Sequence, residues 1–232
     1  MAASVLGSEE EKETGRIEAF SDGIFGIAIT LLILNIKVPK AADIQGKITL
    51  LAALGAQWPA YLSYLNSFLT VLIMWMNHHK LFRHIRRSDH LFLLLNGLLL
   101  MGVTIVPFPT AVLAEYINTP EARTAAAVYS GSYLVIAILF YIMWRYASSA
   151  RGLLARNHDR ESVSAISRQY RFGPLMYLIA FVLAFISVWA SVGLCIALAI
   201  FFALPGVTAK PNELIKSPSG KRIAREAGDA KF

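Results

Sequence analysis

The sequence predicts an all-α membrane protein with six transmembrane helices per chain, and three observations lead there. Of its 232 residues, 56% are hydrophobic and only 16% charged, against roughly 45–50% apolar in soluble domains, and the mean hydropathy is +0.54. The apolar residues gather in runs that approach the roughly 20 needed to cross about 30 Å of hydrocarbon. Basic residues crowd into alternate connections between those runs, as the positive-inside rule requires. One six-helix unit then fills residues 1–206, and a basic, polar tail over 207–232 is expected to be disordered on the cytoplasmic side.

The first helix is expected over 17–36. The preceding MAASVLGSEEEKETGR has no apolar core of the kind a cleavable signal carries, so the span itself is expected to direct insertion. Ala19, Gly23, Gly26 and Thr30 form a small-residue stripe suited to close helix packing, while Ile27, Leu31 and Leu34 recur along another face. The second helix, 52–77, carries Ser63, Asn66, Thr70 and Asn77 at helical spacing, a polar stripe that must avoid lipid and is expected to face the first helix. The third, 90–106, is closed by Pro107 and Pro109 and holds Asn96 and Thr104 as single polar residues, read as packing hydrogen bonds. The fourth runs over 123–147. The last two, 165–187 and 189–205, share one unbroken apolar stretch, read as a hairpin turning near Trp189 to Ser191.

Charge orients these helices. Lys80, Arg83, Arg86 and Arg87 follow the second helix, and Arg145, Arg151, Arg156, Arg160, Arg168 and Arg171 follow the fourth, so both connections are expected to be cytoplasmic. The connection after the third helix sets only Arg123 beside Glu115 and Glu121, and Lys37, Lys40 and Lys47 weaken the bias without reversing it. An even helix count puts both termini inside. The net charge of +7 is thus accounted for by membrane flanks and by a tail able to rest on anionic lipid. No basic patch with interleaved aromatics calls for a nucleic-acid partner. The lone Cys195 allows no intrachain disulfide.

Against this background Asp22 stands out, because a carboxylate inside a span is costly unless paired or hydrated. Arg16 is a natural partner, within the chain or from a neighbouring helix; alternatively, Ser21 and Asp22 merely cap the helix at the membrane surface. The second helix ends in WMNHHKLFRH, which brings Trp75, Asn77, His78 and His79 to the same depth. Adjacent histidines on a helix diverge by about 100° and are poorly placed to share one ion, so no metal and no other cofactor is expected. A hydrogen-bond network joining a histidine to Asp22 or Arg16 fits better.

Arg16, Phe20, Ser21 and Asp22 spell R-x-x-x-F-S-D at the head of an Ile/Leu/Thr-rich helix that ends in IKVP. In this motif, the paired histidines and the six-helix layout, the chain resembles prokaryotic members of the family of transmembrane protein 175, the lysosomal potassium channel. The resemblance implies a homotetramer in a prokaryotic plasma (inner) membrane, conducting K+ and other monovalent cations through a central pore lined by the first helix. It implies an apolar constriction at Ile27, with Leu31 and Leu34 beyond it and Thr30 offering hydroxyls nearby, while Arg16, Phe20, Ser21 and Asp22 position the helix and Asn66, Trp75, Asn77, His78 and His79 support it.

Ion selectivity would then take an unusual form. The chain has no TVGYG-type loop whose carbonyls replace hydration water, and a ring of isoleucines offers no ligand. Ions that shed water more cheaply should pass more easily, which favours potassium over sodium modestly, and the same ring can close by dewetting. The alternative is an ion-coupled transporter with Asp22 and the histidines as a proton relay, although the inverted repeats common in such proteins are absent from the sequence. No Ser/His/Asp or multi-ligand metal arrangement suggests an enzyme.

Overall fold

A computed structural model describes residues 2–44, 48–149, 153–154 and 160–203. The tail expected over 207–232 lies outside them. Helix α1 (Ala2–Leu31) tightens into a 3-10 turn at Leu32–Asn35, and two short helices, α2 (Ala41–Ile44) and α3 (Leu50–Ala56), follow. Then come α4 (Trp58–Phe82), α5 (His90–Ile105), α6 (Pro107–Tyr116), α7 (Ala122–Ser148), α8 (Arg160–Ile186) and α9 (Val188–Ala203). Among the described residues there is no strand beyond one isolated bridge between Ile85 and Leu154. Four stretches are long and apolar enough to cross a membrane: Thr14–Asn35, His90–Tyr116, Ala122–Ser148 and Ile166–Ile186. α9 is equally apolar but shorter.

Several boundaries depart from the sequence expectation. α1 begins well before residue 17, because the acidic and basic residues ahead of it are good helix formers that hydropathy alone does not register. The expected 52–77 helix divides: Thr49 caps α3 by accepting from the Ala52 amide, and Pro59 sits in the first turn of α4, where a missing N–H costs nothing. α4 then runs on to Phe82. Pro107 and Pro109 bend the third span without ending it. Pro107 opens α6 while Val106 keeps a helical backbone, and the Pro107 carbonyl accepts from Asn35 Nδ2 at 3.3 Å. The final hairpin is present, but its turn is at Ser187, whose hydroxyl caps α9 by accepting from the Ala190 amide. Ser191 is already inside α9, donating back to the Ala180 carbonyl at 2.7 Å.

The helices pack around one buried core that includes Phe25, Leu32, Phe92, Tyr129, Tyr133 and Trp144. Two close approaches depend on glycine: a β-carbon on Gly102 would meet Ile136 at 3.1 Å, and one on Gly131 would meet Phe181 at 3.2 Å. Contacts gather the helix ends into two groups. At one end the amides of Arg86 and Arg87 both donate to the Leu153 carbonyl, tying the two basic connections together. Asp89 caps α5 there and also accepts from Tyr146 of α7. At the other end Lys37 pairs with Glu115, and Trp58 stacks on Trp189.

Candidate functional site

The candidate site is α1 and what holds it. Glu18, Ser21, Asp22 and Phe25 recur at helical spacing and face α4 and α5. Ser21 is fully buried and its hydroxyl donates to the Ile17 carbonyl at 2.8 Å, the back-bond open to a serine inside a helix. Its oxygen accepts from Asn96 Nδ2 of α5 at 3.1 Å, and Asn96 Oδ1 faces His78 Nε2 at 2.9 Å. With its amide nitrogen turned to Ser21, Asn96 meets His78 through an oxygen that only accepts, so His78 carries its proton on Nε2. The His78 ring lies between Phe82, at 4.5 Å between centroids, and Phe25 of α1, at 5.3 Å. His78 Nδ1 is buried without a partner among the described residues.

One turn before His78 on α4, Trp75 Nε1 donates to Asp22 Oδ1 at 2.8 Å. His79 stacks on Trp75 and meets Glu18 through Nδ1 at 2.7 Å. Thus α1 is clasped from one side by three consecutive contacts, to Trp75, His78 through Asn96, and His79. Neither histidine is bonded to Asp22. Arg16 is exposed and forms no ion pair among the described residues, so Trp75 takes the place expected of it. Glu18, which the sequence reading passes over, is hydrogen-bonded to His79, and Asn96, read as a packing residue, is the hub. Among the described residues no three His, Cys, Asp or Glu side chains stand together as a metal site.

The polar stripe on α4 faces away from α1. Asn66 Nδ2 donates to the Tyr129 hydroxyl at 2.8 Å, and Ser67 shares hydrogen bonds with Thr110, Tyr129 and Tyr133. Thr70 donates to the Asn66 carbonyl. The partners are hydroxyls on α6 and α7, which no reading of α4 alone could locate. Asn77 joins neither cluster through its side chain; only its carbonyl is engaged, by the Tyr170 hydroxyl.

The opposite face of α1 is bare. Phe20, Ile27, Thr30, Leu31 and Leu34 are all exposed, Ile27 to 57% and Leu34 to 70%. Ala19, Gly23 and Gly26 are exposed as well, and a β-carbon on either glycine would meet nothing within 4 Å. The small-residue stripe therefore does no packing inside the chain; Ser21, Phe25, Ala28 and Leu32 do that instead. Thr30 donates its hydroxyl to the Ile27 carbonyl at 2.9 Å, which leaves its oxygen lone pairs outward.

The family model of the endosomal/lysosomal potassium channel TMEM175 matches residues 16–107, the stretch that holds α1, α4 and α5. A potassium channel of Chamaesiphon minutus is 57% identical over 200 residues, which cover 86% of this chain and 98% of that protein. The crystal structure of a lysosomal potassium-selective channel TMEM175 homolog from Chamaesiphon minutus superposes with a TM-score of 0.78 at 55% identity, covering 84% of this chain and 98% of that one. The endosomal/lysosomal proton channel TMEM175 of Bos taurus is 38% identical over 143 residues, 59% of this chain and 30% of that protein. Near-complete coverage at this identity, over a bundle of apolar helices, makes the chain an integral membrane protein that belongs to the TMEM175 family.

Proposed function

We propose that this chain is a potassium-permeable cation channel, modestly selective for K+ over Na+, that works as a homotetramer in a prokaryotic plasma membrane. Its pore is lined by α1 of each subunit, and four Ile27 side chains form the constriction. One observation carries this reading. α1 is clasped along Glu18, Ser21, Asp22 and Phe25 by its own chain, while its Ile27, Leu31 and Leu34 face is left open. A face so presented beside exposed Gly23 and Gly26 suits close approach of a second copy.

In this arrangement Ile27 is about 7.5 Å further along the axis than Asp22, and Leu31 and Leu34, the latter in the 3-10 turn, extend the apolar wall about 6 and 12 Å beyond it. An ion crossing such a ring finds no ligand there and must strip part of its hydration, which favours the ion with the cheaper shell. Thr30, with lone pairs outward, offers oxygen next to the constriction. Trp75, His78 and His79 keep α1 in position, and Asp22, engaged at one oxygen, leaves the other to attract cations at the mouth. A proton relay through Asp22 loses its basis because no histidine is bonded to it. Six passes with both ends cytoplasmic are supported by the shared contact of the two basic connections at Leu153.

The test is the reversal potential of purified protein in planar bilayers under a potassium-to-sodium gradient at equal pH on both sides. The native chain should give a potassium-favouring potential. Ile27→Asn should raise conductance and bring that potential towards zero; a potential indifferent to Ile27 removes it from the constriction.

A further inference from the structure

We propose that a cavity between α4, α7, α8 and α9 is a binding site for a short uncharged alcohol. The cavity measures about 60 Å³. Ile73, Phe140 and Tyr170 give it apolar and aromatic walls, and Asn77 and Gln169 line it as well. Neither of those two amide side chains has a hydrogen-bond partner among the described residues. Of the hydroxyls that line it, that of Thr70 donates to the Asn66 carbonyl and that of Tyr170 to the Asn77 carbonyl, whereas that of Tyr177 has no partner among the described residues. A second observation comes from α8. Gly173 is buried and lines the cavity, yet a β-carbon built on it would meet nothing within 4 Å. Beside it, Pro174 lies inside the continuous α8 and has no amide to donate to the Tyr170 carbonyl.

These features select a ligand class. A site walled mainly by apolar groups with a few open polar ones suits an occupant that is itself mostly apolar, and water, which needs two to four polar partners, is the competitor that the test below separates from it. An aliphatic molecule with one hydroxyl satisfies both parts, its alkyl end against Ile73 and Phe140 and its hydroxyl at the amides. Where a cavity of about 150 Å³ accepts the six carbons of benzene, one of this size encloses about two or three heavy atoms, and because it is open on one side a fourth can sit at its mouth, which admits ethanol with three heavy atoms and 1-propanol or 2-fluoroethanol with four. Ile73 and Asn77 belong to the same turns of α4 as Trp75 and His78, so an occupant bears on the element that holds α1. A consequence for ion flow rests on the channel reading, whereas binding itself does not and can be measured on non-conducting protein.

The probe is 2-fluoroethanol, followed by 19F saturation-transfer NMR on the purified full chain in detergent. The expected result is a saturable signal, competed by 1-propanol and at least fivefold weaker in Gly173→Val, whose side chain fills the void. If Gly173→Val does not fold, Gly173→Ala and Gln169→Leu take its place, the first narrowing the space and the second removing a hydrogen-bonding partner. Only non-saturable partitioning in the native chain, as expected of a cavity holding water or nothing, overturns the proposal. So does saturable binding that is indifferent to every folded variant.

Discussion

On one side of α1, Phe25, Ala28 and Leu32 are at most 1% exposed; on the other, Phe20 and Ile27 are more than half exposed. Both sides are apolar, and in lipid that says nothing about which one packs, because hydrocarbon is as good a neighbour as leucine. What separates them is the company of polar groups. Glu18, Ser21 and Asp22 accompany the packed side, and each meets a partner on α4 or α5. Beyond Arg16, exposed at its head, the open side has only Thr30, bonded to its own helix. In this bundle, polar side chains identify the face that holds the fold, and the apolar face without them is free for another purpose.

The largest expected effect comes from exchanging equivalent cuts between the two sides. Phe25→Ala removes a buried ring that also packs on His78, and should cost about 3–5 kcal/mol, seen as a lowered melting temperature in detergent. Ile27→Ala should change stability by less than about 0.5 kcal/mol while altering conduction. Equal destabilisation by both would break the distinction between the faces.

Next is Asn96→Leu, which strands Ser21 and His78 at once. Each buried group left without its partner costs about 1–3 kcal/mol, so this change should rival the loss of the ring although it adds apolar volume. Thermal unfolding of Asn96→Leu beside Asn96→Ala separates the hydrogen bonds from packing; a leucine variant as stable as the native chain would make the network ornamental. Trp75→Phe should be milder. It keeps an aromatic side chain against α1 but removes the donor to Asp22, a charge-assisted bond worth about 1.5–3 kcal/mol. A double-mutant cycle with Asp22→Asn checks this, and a coupling near zero would return Asp22 to a simple cap.

Much of this was legible before any coordinates. Composition and the alternation of basic connections called for a membrane bundle, and R-x-x-x-F-S-D pointed at the head of α1. Other features depended on partners distant in the chain. Asn96 looked like one polar residue in an apolar run because its role is set by Ser21, 75 residues away, and by His78, 18 residues away. The α4 stripe looked fit for α1 because helical spacing tells which residues share a face, not what that face meets, and the matching hydroxyls turned out to be Thr110, Tyr129 and Tyr133. Pro107 reads as an end because proline removes the amide that would donate to the Val103 carbonyl, whereas in the fold that carbonyl accepts from the Val106 amide at 3.2 Å and the backbone stays helical.

The smallest effect belongs to the Glu18–His79 contact, to which the sequence gives no pointer. Glu18 and His79 are 2.7 Å apart, but their side chains are 27% and 50% exposed, so water competes for the bond and, where His79 is protonated, salt screens the attraction. Glu18→Gln should therefore cost only about 0.2–1 kcal/mol, and the difference from the native chain should fade in concentrated potassium chloride. The stack of His79 on Trp75 does not depend on Glu18 and should survive, leaving the Trp75 bond to Asp22 in place. If melting in low and high salt showed instead a salt-independent loss above about 2 kcal/mol, Glu18 would rank in strength with Ser21 and Asp22 among the contacts that seat α1, and exposure would no longer grade them.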